Sequence, residues 1–523
     1  SEALKISKKI GFPVLLKASA GGGGKGMRIV RKDRELEENF IAAKSESKKS
    51  FGDDRVFIEK YIEQPRHIEI QILCDKHGNQ IHLGERECSI QRRYQKVIEE
   101  CPSPFVDEDM RSEMASQALI LAKEVKYDSA GTVEFVVDSK KNFYFLEMNT
   151  RLQVEHPVTE LVTGIDLVEQ MILSADNKKL AIRQEDIKLN GWSVESRIYA
   201  EDPTKDFLPS IGRVTRYIEP KKIEKDYEVI RNDTGISPGS EVSLYYDPMI
   251  SKLAVHSKDR ISAINLMINS LQNYYLSGLE NNIDFLIAIL EDKKFQKGEI
   301  STNFIKEKFK NGYSSNLTMT DDKRQKFGII AMLMYAKQSF NLSNVISKNF
   351  SIKISEDYLD IFLNEAAIVD NSLSLLIEIN KKKIKVESSF NLNQKLCSFK
   401  VNEEIFYFKI NDLINMHTSD VSFLDCRTTT VVVQSTQKDL LKLMPKDAKE
   451  DLSKKLISPM PGLIKSVDVI EGQKVKNADQ LLIIEAMKME NILKSEKDCV
   501  IEKILVKAGD SVSADEELIL FKN

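Results

Sequence analysis

Lys488 stands between two methionines in Ala486-Met487-Lys488-Met489, with the apolar runs Leu481 to Ile484 and Ile492 to Leu493 on either side. These runs read as the strands of a hairpin, which would carry the lysine at an exposed tip. There an enzyme can close an amide on its amine, removing the charge and lengthening the side chain into an arm. Taken alone, Lys488 reads by default as a surface lysine and Met487 and Met489 as core fillers. Far upstream, Glu134 lies in Gly131 to Phe135, and Glu147 and Asn149 lie in Phe145 to Arg151. Both segments are apolar and strand-like. Glu134, Glu147 and Asn149 offer oxygen ligands suited to magnesium, which keeps waters and substrate phosphates as its other ligands. Either glutamate would also serve as a buried ion-pair partner.

A third group centres on phosphate. Phe12 to Ser19, carrying Lys17, reads as a buried strand; Ala20-Gly21-Gly22-Gly23-Gly24-Lys25-Gly26 reads as a loop, and Met27 to Val30 as a second strand. Backbone N–H groups of such a loop approach phosphate oxygens closely, while Lys17 and Lys25 supply charge. No helix opens after the glycines, so the spacing fits neither a Walker loop nor a dinucleotide fingerprint. A flexible linker is the alternative for the glycines alone. Phe57 to Ile62, Arg66 to Gln71 and Glu85 to Arg93 add strands in which acids and bases recur, as the wall of a nucleotide cleft requires.

Several units must position these groups, and 523 residues hold about three or four domains. Val467 to Ile484 and Ile504 to Phe521 are weak copies, with Val469/Val506, Gly472/Gly509, Val475/Val512 and Leu481/Leu518 at a constant offset. Each copy reads as short strands broken at a glycine that accepts positive φ, and the two suggest a small sandwich with quasi-twofold symmetry. Ile165 to Ser174 reads as an amphipathic helix, Trp192 to Ala200 as a strand and Arg260 to Gln272 as a helix; past Glu155, only Arg231 adds chemistry in this stretch. Asp322 to Ser339 reads as a helix with Phe327, Ile330, Leu333 and Met334 on one side. Short alternating segments follow at Phe350 to Ser355, Tyr358 to Leu363, Leu373 to Ile379, Lys383 to Glu387, Leu396 to Val401, Ile405 to Ile410 and Thr428 to Gln434. A helix with an antiparallel barrel fits them.

The net charge is -4 with 30% charged residues, and no apolar run approaches the roughly 18 residues that span a bilayer. No basic patch is interleaved with aromatics, which argues against a nucleic-acid partner. The six cysteines contain no Cys-x-x-Cys pair and read as structural thiols in a reducing compartment.

The motifs converge on a family. Lys17-Ala18-Ser19 with its glycines, Glu59-Lys60-Tyr61, Gln91-Arg92-Arg93, Glu147 to Arg151 and Leu152-Gln153-Val154-Glu155-His156-Pro157 resemble, in order and spacing, the ATP-grasp core of biotin carboxylase from Gly11 to about Asn311. Ala-Met-Lys-Met between half-repeats, with Pro459-Met460-Pro461-Gly462 upstream, resembles the biotinyl carrier domain; the lipoyl domain shares that fold but usually carries Asp-Lys-Ala. The helix and barrel, preceded by Gly298-Glu299-Ile300-Ser301-Thr302, resemble the subunit-docking domain of propionyl-CoA carboxylase α subunits. The chain thus resembles the α subunits of biotin-dependent acyl-CoA carboxylases.

The resemblance implies a multidomain α+β protein: an ATP-grasp lid at 1–62, the C-terminal part of a biotin carboxylase at 63–311, a β-subunit docking domain at 312–437, a linker at 438–456 and a biotinyl β-sandwich at 457–523. It implies that Lys17, Gly23, Gly24 and His67 contact the nucleotide phosphates or ribose, that Glu59, Lys60 and Ile62 form the adenine edge, and that Gln91 lines the same site. Glu134, Glu147 and Asn149 would hold Mg2+ or Mn2+; Lys96, Arg151, Gln153, Val154 and Glu155 would surround bicarbonate; Arg231 would meet the biotin ureido oxygen. ATP would activate bicarbonate as carboxyphosphate with Glu155 as general base, and biotin on Lys488 would be carboxylated. The implied partners are a carboxyltransferase β subunit in an αβ hetero-oligomer, an acyl-CoA reached through that subunit, most simply propionyl-CoA, and biotin protein ligase. A 3-methylcrotonyl-CoA carboxylase α chain and a carrier whose ATP-grasp part is inactive are the rivals. Relatives carry an N-terminal subdomain, with a phosphate-contacting lysine, before the position of Ser1, so the sequence is expected to be part of a longer subunit; Tyr94 stands where some relatives have histidine. A bacterial cytoplasm is the expected compartment, a mitochondrial matrix the alternative.

Overall fold

The computed structural model describes residues 2–19, 27–225, 227–314, 319–339, 349–369, 372–438, 440, 454–486 and 489–522. Val14–Ala18 runs antiparallel to Met27–Val30 on one side and Val56–Lys60 on the other. Helices Glu2–Ile10 and Leu36–Phe51 accompany this three-stranded sheet. The period of two along Val14–Ala18 buries Val14 and Leu16 against Leu36 and Ala43. Lys17 is thereby left to the opposite face.

The central element is a nine-stranded sheet. Its order is Ile223–Lys225, Glu228–Thr234, Met249–Ser257, Trp192–Tyr199, Gln95–Cys101, Gln80–Arg92, Arg66–Cys74, Ser129–Val137 and Phe143–Asn149. Helix Glu108–Glu124 covers part of it through Met114 and Ala118, packed with Ile68, Ile70, Val133 and Phe135. Arg260–Gln272 and Ile283–Leu290 cover another part with Ile264, Leu271 and Phe285. Helix His156–Thr163 lies against the middle strands.

Asn349–Ile354, Asp357–Val369, Ser372–Ile379, Lys382–Ser388, Leu396–Val401, Glu404–Leu413, Thr418–Phe423 and Cys426–Gln434 form a closed eight-stranded antiparallel barrel. Thr418–Phe423 is the strand missing from the sequence reading. Its buried row includes Ser419, which weakens the apolar alternation. Helix Asp321–Ser339 packs on five of the barrel strands and is buried without interruption from Phe327 to Ala336, not on one side as the sequence suggested. Phe-Gly-Ile-Ile-Ala-Met-Leu-Met-Tyr-Ala is apolar all round, and such a helix belongs in an interior.

The C-terminal unit is two four-stranded sheets. Gly472 and Gly509 both take positive φ, at 82° and 94°. Lys474–Val475 of the first half pairs with Cys499–Ile504 of the second, and Ser511–Val512 of the second pairs with Gly462–Val467 of the first. This exchange is the twofold relation the repeats implied. Lys455–Ile457 adds a strand beside Glu517–Lys522.

Candidate active site

Glu155 occupies the N-cap position of helix His156–Thr163, which has a proline in its first turn, but its carboxylate does not cap the helix. It is instead held by two cations: Lys96 Nζ lies 2.5 Å from Oε1, and Arg197 Nη2 lies 3.0 Å from Oε2. The group is buried. Lys96 also reaches Glu69 Oε2 at 2.6 Å and Glu134 Oε1 at 3.2 Å, so one ammonium serves three carboxylates. Burial opposes the Lys96 ammonium, but the acidic groups Cys88, Glu69, Glu155 and Glu134 outweigh it and hold its pKa well above the usual lysine value. Burial would likewise raise Glu69, yet Lys96 and Arg86 bring it down to about 2. Glu134 is held well below the carboxylate range by His67 and Lys96, against the opposing effect of burial.

Around this centre the strands deliver most of the expected residues. Gln91 Nε2 donates to His67 Nδ1 at 2.7 Å, which turns His67 Nε2 to Glu134 Oε2 at 3.0 Å. Gln153 Nε2 and Asn149 Nδ2 donate to Glu134 Oε1 at 2.8 and 3.0 Å. Glu147 faces Glu134 directly across the strand pair and is exposed. The exposed Arg151 reaches Asn149 Oδ1 at 3.4 Å, and Lys252 Nζ donates to the Val154 carbonyl at 2.5 Å. A divalent cation fits here: Glu134 and Glu147 stand side by side with Asn149 bonded to one of them, a set of oxygen donors open on the Glu147 side.

Lys17, Glu59, Lys60 and Ile62 belong to the three-stranded sheet or its exit. Lys17 lies 3.8 Å from Glu59, and Lys60 Nζ donates to the carbonyls of Gly11 and Phe12 at 2.8 and 3.2 Å. Gly23, Gly24 and Lys488 lie outside the described residues. The register of the C-terminal hairpin, Ala486 opposite Met489, brackets positions 487 and 488. Arg231 is engaged by Glu160 at 2.7 Å and by Asp233 at 2.9 and 3.0 Å.

Three residues to which the sequence assigned no individual role complete the arrangement. Arg197 bridges Glu155 and Glu99, and Arg86 is fully buried with bonds to Glu69, Gln71, Thr132, Gln153 and Thr159. Glu69 anchors both Arg86 and Lys96. The stretch after Glu155 therefore brings more than Arg231. Its signal was present: Glu195 and Arg197 are opposite charges two apart on one strand, the pattern already noted in Arg66 to Gln71.

Comparison with known proteins agrees with this architecture. The family described as "Carbamoyl-phosphate synthase L chain, ATP binding domain" matches residues 1–183, "Biotin carboxylase C-terminal domain" matches 195–307, and "Biotin-requiring enzyme" matches 454–521. The propionyl-CoA carboxylase alpha chain of Ruegeria pomeroyi is 46% identical over all of this chain and 79% of its own length. The human mitochondrial propionyl-CoA carboxylase alpha chain is 44% identical over 99% of this chain and 72% of its own. Among solved structures, the biotin carboxylase domain of Hydrogenobacter thermophilus 2-oxoglutarate carboxylase, in complex with MgADP, ADP and bicarbonate, is 49% identical with a TM-score of 0.56, covering 58% of this chain and 66% of that one. Biotin carboxylase from Campylobacter jejuni is 47% identical with a TM-score of 0.56, over 58% and 67%.

Fold and site define the biotin carboxylase component of a ligase, an ATP-grasp enzyme joined to a biotinyl domain. The chain belongs to the propionyl-CoA carboxylase alpha chain family.

Proposed function

We propose that this chain carries out the ATP- and bicarbonate-dependent half-reaction of propionyl-CoA carboxylase, with biotin borne on Lys488. The observation that carries the reading is Glu155, a buried carboxylate turned away from capping its helix and clasped by Lys96 and Arg197. Glu155 takes the bicarbonate proton as a bicarbonate oxygen attacks the γ-phosphorus of ATP and ADP leaves. Lys96, Arg197 and the exposed Arg151 face the negative charge that develops. Glu134, Glu147 and Asn149 would hold Mg2+ or Mn2+, which would supply Lewis-acid stabilisation of phosphate charge. Lys17, with Gly23 and Gly24, holds the phosphates; His67 and Gln91 face the nucleotide; Glu59, Lys60 and Ile62 form its base edge; Gln153 and Val154 frame the anion. Biotin, when attached, supplies the ureido nitrogen that accepts the carboxyl group. Arg231, whose guanidinium is held by Glu160 and Asp233, meets the biotin ureido oxygen.

The fused barrel supports docking of a carboxyltransferase β subunit that passes the group to propionyl-CoA, and the hairpin bracketing Lys488 suits biotin protein ligase. A methylcrotonoyl-CoA carboxylase alpha subunit of Mus musculus is 37% identical over 98% of this chain, below the propionyl-CoA relatives, and so is the second choice. No helix among the described residues is long and apolar enough to cross a membrane. Relatives of bacterial and mitochondrial origin support cytoplasm or matrix. Replacing Glu155 with Gln removes the base while keeping the side-chain size. Bicarbonate-dependent ATP cleavage is expected to fall by about 10²-fold or more, the range for a lost general base, with nucleotide binding kept. Cleavage at the wild-type rate in E155Q refutes the assignment.

A further inference from the structure

Behind Glu155 lie two acids that the reaction above leaves unused. Glu99 on Gln95–Cys101 and Glu195 on Trp192–Tyr199 are register partners, and both are fully buried. Among the described residues, only Glu99 of the two is hydrogen-bonded to a cation. Arg197 Nε donates to Glu99 Oε1 at 2.6 Å while Nη2 of the same guanidinium donates to Glu155 Oε2 at 3.0 Å. Among the described residues, neither carboxyl oxygen of Glu195 has a hydrogen-bond partner. A guanidinium is a rigid planar fork, so fixing its Nε edge also fixes where Nη2 points. Gln95–Cys101 is shaped for this purpose. Ile90 pairs with Ile98 and Gln91 with Lys96, leaving Val97 as an extra residue, and this bulge lets Lys96 and Glu99 serve one cluster from one strand.

We propose that Glu99 is a positioning residue for proton transfer at Glu155, gripping Arg197 by Nε so that Nη2 is presented to the base, while the opposing Glu195 takes no part. The inference rests on the reading of Glu155 as general base. The charged and titratable groups around the pair are Arg197 and Tyr199 on the strand of Glu195, Lys96 on that of Glu99, Cys88 on Gln80–Arg92, Lys252 on Met249–Ser257 and Glu155 at its helix N-terminus. The Arg197 guanidinium is already shared by Glu99 and Glu155 and gives Glu195 no hydrogen bond, and a carboxylate without one is costly in a dry interior. Burial, and then the neighbouring Glu99, push Glu195 well above the carboxylate range; burial pushes Glu99 up to about 7 against the pull of Arg197. Glu99 is therefore the member that ionises near neutrality.

The test is bicarbonate-dependent ATP cleavage by the full chain and its E99Q, E99D, E195Q and E155Q variants, from about pH 6 to about pH 9 across the neutral range. In E99Q, kcat is expected to fall by about 10²-fold, as for a catalytic group moved by about an ångström, with the KM for ATP within about twofold of wild type. Its pH profile should also lose the limb near neutrality, which a merely structural role would scale without reshaping. E99D should recover part of the rate and the limb, and E195Q should keep both. A wild-type rate and profile in E99Q, or a loss in E195Q equal to that in E99Q, overturns the proposal. If E99Q does not fold, E99D against E195Q decides: a displaced limb in E99D alone supports it, and matching profiles overturn it. E155Q separates the two readings. Activity in E155Q removes the base and this inference together; an inactive E155Q beside an unaffected E99Q removes this inference only.

Discussion

At the scale of single residues, the site is a balance between burial and charge. Lys96 remains an ammonium in a buried setting because three carboxylates meet it, and Glu69 and Glu134 remain ionised because Lys96, Arg86 and His67 meet them. Glu195 shows the opposite outcome, with its carboxyl pushed far up by burial and Glu99. The sign of its effect on stability follows. Between the carboxylate pKa of the unfolded chain, about 4.3, and the raised folded value, only the unfolded chain releases the proton, so stability is lost as pH rises. E195Q does not titrate. Its melting temperature relative to wild type should therefore climb between about pH 5 and about pH 8, measured by calorimetry. A constant difference would mean that Glu195 is ionised in the folded protein.

At the scale of elements, the helix Asp321–Ser339 shows packing overriding local preference. Glycine in a helix costs about 1 kcal/mol relative to alanine, yet Gly328 stands in the middle of this one. A Cβ there would lie 2.5 Å from Leu359 Cδ2 and 3.1 Å from Ile361 Cδ1, so these side-chain ends on the barrel wall would have to shift to admit it. G328A should lower the stability of the barrel by about 1–3 kcal/mol despite its better helix propensity, seen as a lower thermal midpoint. A higher midpoint would show that Leu359 can move aside at little cost. Gly462 has the same role in the C-terminal unit, where a Cβ would lie 2.5 Å from Ile484 Cγ2.

At the scale of the whole molecule, the barrel is joined to the carboxylase unit through buried charge. Lys323 at the start of the helix pairs with Glu291 of the carboxylase unit at 2.7 Å and with Asp425 in the turn between the last two barrel strands. Tyr313 Oη donates to the Asp425 carbonyl at 3.1 Å, and Leu424 packs against both cores. Removing one partner of a buried ion pair costs about 3–5 kcal/mol. K323M should therefore separate the unfolding of barrel and carboxylase into two calorimetric transitions. A single transition at the wild-type midpoint would show that the junction does not depend on this lysine.

The amino-acid sequence by itself determined the elements whose signal is local. The half-repeats around Lys488, the helix Arg260–Gln272, the strand Leu396–Val401 and the acids Glu134 and Glu147 on neighbouring strands all follow from periodicity and turn residues close along the chain. Residue types in fixed order made the set of Lys96, Glu134, Gln153 and Glu155 legible as well. Only the tertiary structure decided which charges meet. Arg197 and Glu99 are 98 positions apart, and Arg86 meets Thr159 across 73, so no local pattern could pair them. The same holds for burial: the Asp321–Ser339 helix reads as one-sided until a barrel surrounds it, and Thr418–Phe423 is weak as a strand until its neighbours close the ring. Periodicity reports the face an element prefers, whereas packing and charge pairing depend on elements far away in the chain.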